Sequence, residues 1–337
     1  MTLVRWTQGF SADPILQGSV LTIGNFDGLH LGHQHIVSAT VARASEIGMP
    51  SVALTFDPHP SVIIAPSHTA YLLMTLNEKM NILDQLGINF GWALTFTPSI
   101  AEMSPKDFME ALTTSLVPES IHVGEGFRFG HRREGSSDFM VKWGRDHGIH
   151  VVAYPLEHFG GEAISSSRIR LLLREGKVTQ ASQLLGRPYS ISGTVIKGHM
   201  RGQRLGFPTA NLKTDSRLLP QSGVYITSVH SSLWEGEQLG LTNVGVQPTF
   251  HEGSLTVETH CPGGSGDWYG AQLKLDFLHR LRDEQKFNSS EELRLQIKKI
   301  SAKAFNGGLR PATECRRRYL LEGSNLLRLL RRSRVGR

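Results

Sequence analysis

Two glycine-rich segments hold the residue types that chemistry on phosphates requires. The first, Gly24-Asn25-Phe26-Asp27-Gly28-Leu29-His30-Leu31-Gly32-His33, follows the apolar run Val20 to Ile23 directly. It precedes a helical pattern carrying Ile36, Val37, Val41, Ala44 and Ile47, which Gly48 closes. Glycine lets backbone approach a phosphate, and a helix start offers unpaired N–H donors with partial positive charge. Two histidines three apart can both face the anion held there, so the segment predicts a triphosphate cradle. A turn with structural histidines would use the same residues, as would a metal site on His30, His33 and His35, although no carboxylate or cysteine is spaced to complete one. The second segment, from Gly198 through Gly202, Gly206, Phe207, Pro208, Thr209 and Ala210 to Asn211, repeats glycine every fourth residue. It has neither the Gly-Lys-Ser/Thr of a Walker loop nor the strand lysine that follows a protein-kinase loop. Taken alone it reads as a bend in a barrel as readily as a nucleotide site.

The elements that must position these segments differ between the halves of the chain. In the first half short apolar strands (Val20–Ile23, Val52–Phe56, Trp92–Phe96, Ile121–Val123, Val151–Tyr154) alternate with helical stretches, one opened by Ser104-Pro105. Such alternation predicts an α/β fold with a parallel sheet covered on both faces and a site where strands end and helices begin. The second half has closely spaced strands at Gly193–Lys197, Val224–Val229, Leu239–Val244, Leu255–His260 and Leu273–Phe277, with a period of two. That pattern predicts a small antiparallel β-barrel. A helix is expected from Ser289-Ser290-Glu291-Glu292, with a stripe of Leu293, Ile297, Ile300 and Ala304 to cover one side of the barrel. The boundary falls near Leu185-Gly186-Arg187-Pro188, giving domains over 1–186 and 187–309 and a tail over 310–337.

At 337 residues the chain can hold two ordinary domains, and 39% apolar content supports real cores. No apolar run approaches the length of a membrane helix, and Met1 to Phe10 lacks the order of a secretory signal, so a cytoplasmic protein with no membrane partner is expected. Cys261 and Cys315 have no close spacing partner, which argues against a disulfide framework or thiolate zinc site. The formal charge of +6 suggests nucleic acid until it is located: residues 310–337 hold nine arginines against two glutamates. The excess belongs to a tail in which Tyr319 is the single stacking aromatic, and a solvated tail is favoured over an RNA-binding arm.

The first segment resembles the HxGH nucleotidyltransferases and, more narrowly, the bacterial bifunctional riboflavin kinase/FMN adenylyltransferases, also called FAD synthetases. Thr55-Phe56-Asp57-Pro58-His59-Pro60 is similar to that family's second block and Gly124 to Gly130 to its flavin-side block. Ile164-Ser165-Ser166-Ser167-Arg168-Ile169-Arg170 is similar to its phosphate-binding block, and Leu184 to Tyr189 to its interdomain segment. The second segment resembles the riboflavin kinase signature Gly-Phe-Pro-Thr-Ala-Asn. Behind it stand Gly223-Val224-Tyr225, Asn243-Val244-Gly245 with Pro248-Thr249, Val257-Glu258-Thr259-His260, Trp268-Tyr269-Gly270 and Leu281 to Phe287, in the family's order.

The resemblance implies a Rossmann-like adenylyltransferase domain before a riboflavin kinase barrel, with riboflavin, FMN and ATP as small-molecule substrates, FAD as product and magnesium as cofactor. It implies that His30 and His33 contact ATP phosphates and the transition state. Gly24, Asn25, Phe26, Asp27, Gly28, His59, Ser165, Ser166, Ser167 and Arg168 would hold the nucleotide, and Phe127, Arg128 and Phe129 the flavin. In the barrel, Gly198, Gly202, Gly206, Pro208, Thr209 and Asn211 would hold ATP, with Thr209 and Asn211 presenting oxygens to magnesium. Glu258 would be the base that accepts the ribityl hydroxyl proton, and Arg282 and Glu284 would meet the flavin. Glu258 lies in an alternating strand, so it can face a cleft while Val257 and Thr259 pack. The chain departs from the family pattern at Gly126 (usually Asp), Ser167 (usually Thr), Gln203 and Gln247 (usually Arg) and Cys261 to Gly264. A chain with one working activity, or a non-catalytic flavin- or RNA-associated paralogue, is the alternative reading.

Overall fold

A computed structural model describes residues 2–6, 17–65, 72–198, 207–215, 217–246, 255–262 and 266–285, with Glu292. Gly202, Gly206, Gln203, Gln247, Pro248-Thr249, the helix expected from Ser289 and the tail lie outside the described residues. The chain divides into two compact units, Met1–Ser166 and Ser167–Arg337.

The first unit is built on a six-stranded, all-parallel sheet. Its strands are β1 (Thr2–Trp6), β2 (Val20–Ile23), β3 (Ser51–Asp57), β4 (Phe90–Thr95), β5 (Ser120–Gly124) and β8 (His150–Tyr154), in the order β1-β4-β3-β2-β5-β8. Two-residue strands β6 (Arg128–Phe129) and β7 (Gly135–Ser136) form a small hairpin between β5 and β8. The helices are α1 (Leu31–Ile47), α2 (Pro60–Ile64), α3 (Leu76–Gln85), α4 (Pro98–Ala101), α5 (Pro105–Leu116) and α6 (Ser137–His147). Alternate residues of the central strands feed two cores. Leu54, Trp92 and Leu94 pack with Phe108, Leu112 and Met140, while Ala53 and Ala93 pack with Val37, Met80 and Leu83. A sheet buried on both faces explains why its strands read as continuous apolar runs. Local chemistry sets the ends: Ser104 caps α5 at the Asp107 N–H, and Gly48, at φ 67°, closes α1 in the left-handed conformation. Hairpin β9 (His158–Phe159) and β10 (Glu162–Ala163) then leads into α7 (Ser166–Arg174).

The second unit is a closed antiparallel barrel. Its strands are β11 (Tyr189–Ile196), β12 (Ala210–Thr214), β13 (Gly223–Ser231), β14 (Glu237–Val246), β15 (Leu255–His260) and β16 (Gln272–Arg282), in the order β11-β12-β15-β14-β13-β16. β16 pairs back onto β11, so no edge is left open. Tyr189, Ile191, Gly193 and Val195 alternate with partly exposed neighbours, and Tyr225 meets Phe277 edge-on inside, with ring centroids 5.2 Å apart. α8 (Val178–Leu185) packs on β16 and β11. β16 continues five residues beyond the expected Phe277, through an irregularity in its pairing with β13. The edge strand β1, the short hairpins β6–β7 and β9–β10, and β12, which starts within the second glycine-rich segment, lie beyond the sequence expectations.

Candidate active sites

The first segment forms the turn from β2 into α1. Phe26 (φ 47°), Gly28 (φ 81°) and Leu29 (φ 40°) all adopt left-handed backbone, and two of the three are not glycine. Such a conformation costs about 1–2 kcal/mol for each L-residue. The buried Phe26 and Leu29 side chains offset it, since burial of a large apolar side chain contributes roughly 1.5–3 kcal/mol. Polar groups fasten the rest of the turn. Both Asp27 carboxylate oxygens accept from the Leu73 N–H, at 3.0 and 3.2 Å, and Ser166 Oγ donates to the Asp27 carbonyl at 2.8 Å. Lys79 Nζ, from α3, donates to the Asn25 carbonyl at 2.7 Å and to Thr55 Oγ1 at 2.9 Å. Burial pulls the Lys79 ammonium down to about 8, against the opposing pull of Asp27 and Asp57.

His30 is the N-cap of α1. Its Nδ1 accepts from the His33 N–H at 3.3 Å, which leaves Nε2 as the proton-bearing nitrogen of that ring. The rings of His30 and His33 stack with centroids 3.7 Å apart, and Phe26 meets His33 edge-on at 5.4 Å. The two histidines are thus held side by side at the start of a 17-residue helix. His35 turns instead to Glu157, so these three histidines do not converge as ligands, and no three-ligand metal group occurs among the described residues. The absence of a Cβ also shapes the turn: a Cβ on Gly24 would come within 2.9 Å of the Phe26 ring. His59 caps α2, its Nδ1 accepting from the Ser61 N–H. Ser165, Ser166, Ser167 and Arg168 occupy the entry and first residues of α7.

The flavin-side residues divide by environment. Phe129 is buried among Phe108, Phe127 and Phe139, whereas Arg128 is exposed and donates to the carbonyls of Glu125 and Phe127. Gly126 is exposed, and a Cβ there would meet only Leu156 Cδ2, at 3.4 Å.

On the barrel, register brings the expected kinase residues together. Asn211 on β12 lies directly opposite Glu258 on β15, and Glu258 lies directly opposite Asn243 on β14. The same row continues through Val224 to Arg282 on β16. Its members are partly exposed, while Leu212, Val257, Thr242 and Tyr225 beside them point into the barrel. Asn243 Nδ2 donates to Glu284 Oε1 at 3.5 Å, which draws Glu284 to the row. Burial lowers the Arg282 guanidinium from its ordinary value, with Glu284 opposing. Gly198 sits against Asn211, where a Cβ would fall 2.2 Å from Nδ2. His260 Nδ1 pairs with the Pro208 carbonyl at 2.8 Å and its ring meets Phe207 edge-on, fixing the segment that carries Thr209.

Sequence reasoning missed Lys79, and it named Asn243 and Gly245 only as part of a family block, without a place in the site. Lys79 carried a signal, a lysine on the same helical face as Met80 and Leu83, where a charge is costly. A Cβ on Gly245 would meet Glu284 Oε1 at 2.4 Å, so this glycine makes room for that carboxylate.

The chain thus joins a parallel-sheet α/β unit with paired histidines at a helix start to a closed barrel with an Asn-Glu-Asn row on its outside. The comparisons with known proteins agree half by half. The FAD synthetase family model matches residues 12–168 and the riboflavin kinase model residues 185–306. The bifunctional riboflavin kinase/FMN adenylyltransferase of Escherichia coli strain K12 is 32% identical, covering 93% of this chain and 100% of its own length. Its counterpart in Bacillus subtilis strain 168 is 35% identical, covering 85% and 92%. Among solved structures, a macrolide-efflux protein from Streptococcus pneumoniae superposes with a TM-score of 0.82 at 26% identity, over 90% of this chain and 98% of that one. This chain belongs to the bifunctional riboflavin kinase/FMN adenylyltransferase family. It phosphorylates riboflavin to FMN and adenylylates FMN to FAD, with ATP as co-substrate in both reactions. No helix among the described residues is long and apolar enough to cross a membrane.

Proposed function

We propose that adenylyl transfer runs on the β2–α1 turn and the start of α7, and riboflavin phosphorylation on the outward row of the barrel. The observation that carries the second assignment is the direct pairing of Asn211 with Glu258. In the kinase reaction the ribityl 5′-hydroxyl attacks the γ-phosphorus, its proton passes to Glu258 and ADP leaves. Arg282 and Glu284 meet the flavin, and Gly198 and Pro208, with the sequence-assigned Gly202 and Gly206, serve ATP binding. Thr209 and Asn211 would hold a magnesium ion through a hydroxyl and an amide oxygen, hard donors that suit it. Bound there, magnesium would supply neutralisation of phosphate charge.

In the adenylyl reaction an FMN phosphate oxygen attacks the α-phosphorus in line, the bond to the bridging oxygen breaks and pyrophosphate departs. His30 and His33, with Gly24 to Gly28, His59, Ser165, Ser166, Ser167 and Arg168, position the triphosphate and offset charge on the leaving group. Phe127 and Arg128 receive the flavin, with Phe129 behind them. The adenylyltransferase domain is assigned to 1–186, the kinase domain to 187–309 and a solvated tail to 310–337, in a cytoplasmic enzyme that takes small molecules and no nucleic acid. The test is the double variant His30→Ala/His33→Ala, assayed with FMN and magnesium-ATP and separately with riboflavin. FAD formation should vanish while riboflavin phosphorylation continues; normal FAD synthesis would remove both histidines from the mechanism.

A further inference from the structure

We propose that Lys79 is a positioning residue for adenylyl transfer, its ammonium holding the β2–α1 turn in the arrangement that receives the nucleotide through bonds to the Asn25 carbonyl and Thr55 Oγ1. The proposal rests on the reading of that turn as the nucleotide cradle.

The geometry is specific. Lys79 is 5% exposed on the inner face of α3, and its two acceptors are the carbonyl of the turn's second residue and the hydroxyl on the adjoining strand β3. Thr55 Oγ1 also donates to the Asn25 carbonyl at 3.2 Å, so one oxygen of the turn is gripped from two sides. Lysine is almost never fully buried unless paired, and an apolar residue would fill the space beside Met80 and Leu83 at less cost. The position therefore points to work done on the turn. Three left-handed residues follow within four positions of Asn25, a backbone that needs holding from outside. The Asn25 carbonyl shares a planar peptide with the Phe26 N–H, which faces the opposite way. A cation on the carbonyl side polarises that peptide and strengthens its donor, as a site for anionic phosphates requires.

The charged groups acting on Lys79 are Asp27 from the turn and Asp57 from the end of β3. With the ammonium near 8, this strut loses its charge within the range in which the enzyme can be assayed, and its pull on Asp27, Asp57 and the Asn25 carbonyl weakens.

Steady-state FMN adenylylation by the full chain, followed from pH 6.5 to 10 in wild type and Lys79→Met, tests this, with riboflavin phosphorylation by the same samples as internal reference. In wild type, adenylylation kcat/KM should fall above about pH 8 while phosphorylation does not share that limb. In Lys79→Met, kcat/KM at pH 7 should drop about 10- to 100-fold, through KM for ATP more than through kcat, with the alkaline limb gone and phosphorylation unchanged. An unchanged rate, or a limb that persists in Lys79→Met, overturns the proposal. Should that variant fail to fold, the wild-type profile decides, since absence of an alkaline limb peculiar to adenylylation also overturns it. Loss of FAD synthesis in the double histidine variant alongside normal kinetics in Lys79→Met would sink this inference alone and leave the site standing.

Discussion

A single methyl group placed on Gly198 should separate the two activities. An added Cβ would lie 2.2 Å from Asn211 Nδ2, 2.5 Å from its Cγ and 2.9 Å from its Oδ1. The amide must withdraw by roughly 1 Å or more to reach ordinary van der Waals separation. The displaced atoms end a short side chain, so the barrel itself need not move, and an off-rotamer side chain costs only about 0.5–1.5 kcal/mol. Catalysis is less forgiving. A displacement of about 1 Å in a positioning group can cost on the order of 100-fold, equal to about 2.7 kcal/mol of barrier. Gly198→Ala should therefore lower kcat/KM for riboflavin phosphorylation about 100-fold, shift thermal unfolding only slightly and leave adenylylation of supplied FMN unchanged. Chromatographic separation of riboflavin, FMN and FAD reports both reactions from one sample. A phosphorylation rate within about twofold of wild type would refute the reasoning, because Asn211 would then have no fixed position to lose.

Three further outcomes are expected. Glu258→Gln, which keeps shape but cannot accept a proton, should reduce FMN production by about 100-fold or more and spare adenylylation of supplied FMN; unchanged phosphorylation would remove Glu258 as the base. Gly126→Asp should fold normally, since its Cβ meets only Leu156 Cδ2 at 3.4 Å, and should raise FMN adenylylation severalfold by returning a carboxylate to the flavin-side block. An unchanged kcat/KM for FMN would make Gly126 neutral. Stability should move opposite to activity above pH 8. Lys79 titrates near 8 when folded and at the ordinary, higher lysine value when unfolded, so between those values the unfolded chain holds more protons. Its contribution therefore rises with pH across that window and is lost as pH falls through 8. Denaturant midpoints of wild type minus Lys79→Met should increase from pH 8 to 10, and a decrease would contradict the burial argument.

Much of this was legible in the residues. Apolar runs such as Val20–Ile23 and Val52–Phe56 predicted a sheet covered on both faces, and alternation at Leu273, Leu275 and Phe277 predicted barrel strands. Strand ends were less visible, because β16 passes an irregularity at which its simple alternation breaks. β12 was hidden by the glycine-rich segment before it, although Ala210 and Leu212 already alternate with Asn211 and Lys213. Without that strand, the pairing of Asn211 with Glu258 could not be foreseen, since the two lie far apart in sequence and only register joins them. The turn from β2 into α1 was readable from its glycines and its place before a helix. The strut behind it was not: Lys79 reaches Asn25 across 54 positions of sequence, and a lysine in a helix ordinarily faces water.

The central claim is that two separable sites in one chain act in succession. Glu258→Gln and His30→Ala/His33→Ala, each purified and given riboflavin with magnesium-ATP, should each make FAD alone at no more than about one hundredth of the wild-type rate and should make it far faster when mixed, because FMN released by the second variant serves the intact adenylyltransferase of the first. FAD at a wild-type rate from either variant alone, or a mixture no faster than the variants apart, would contradict this.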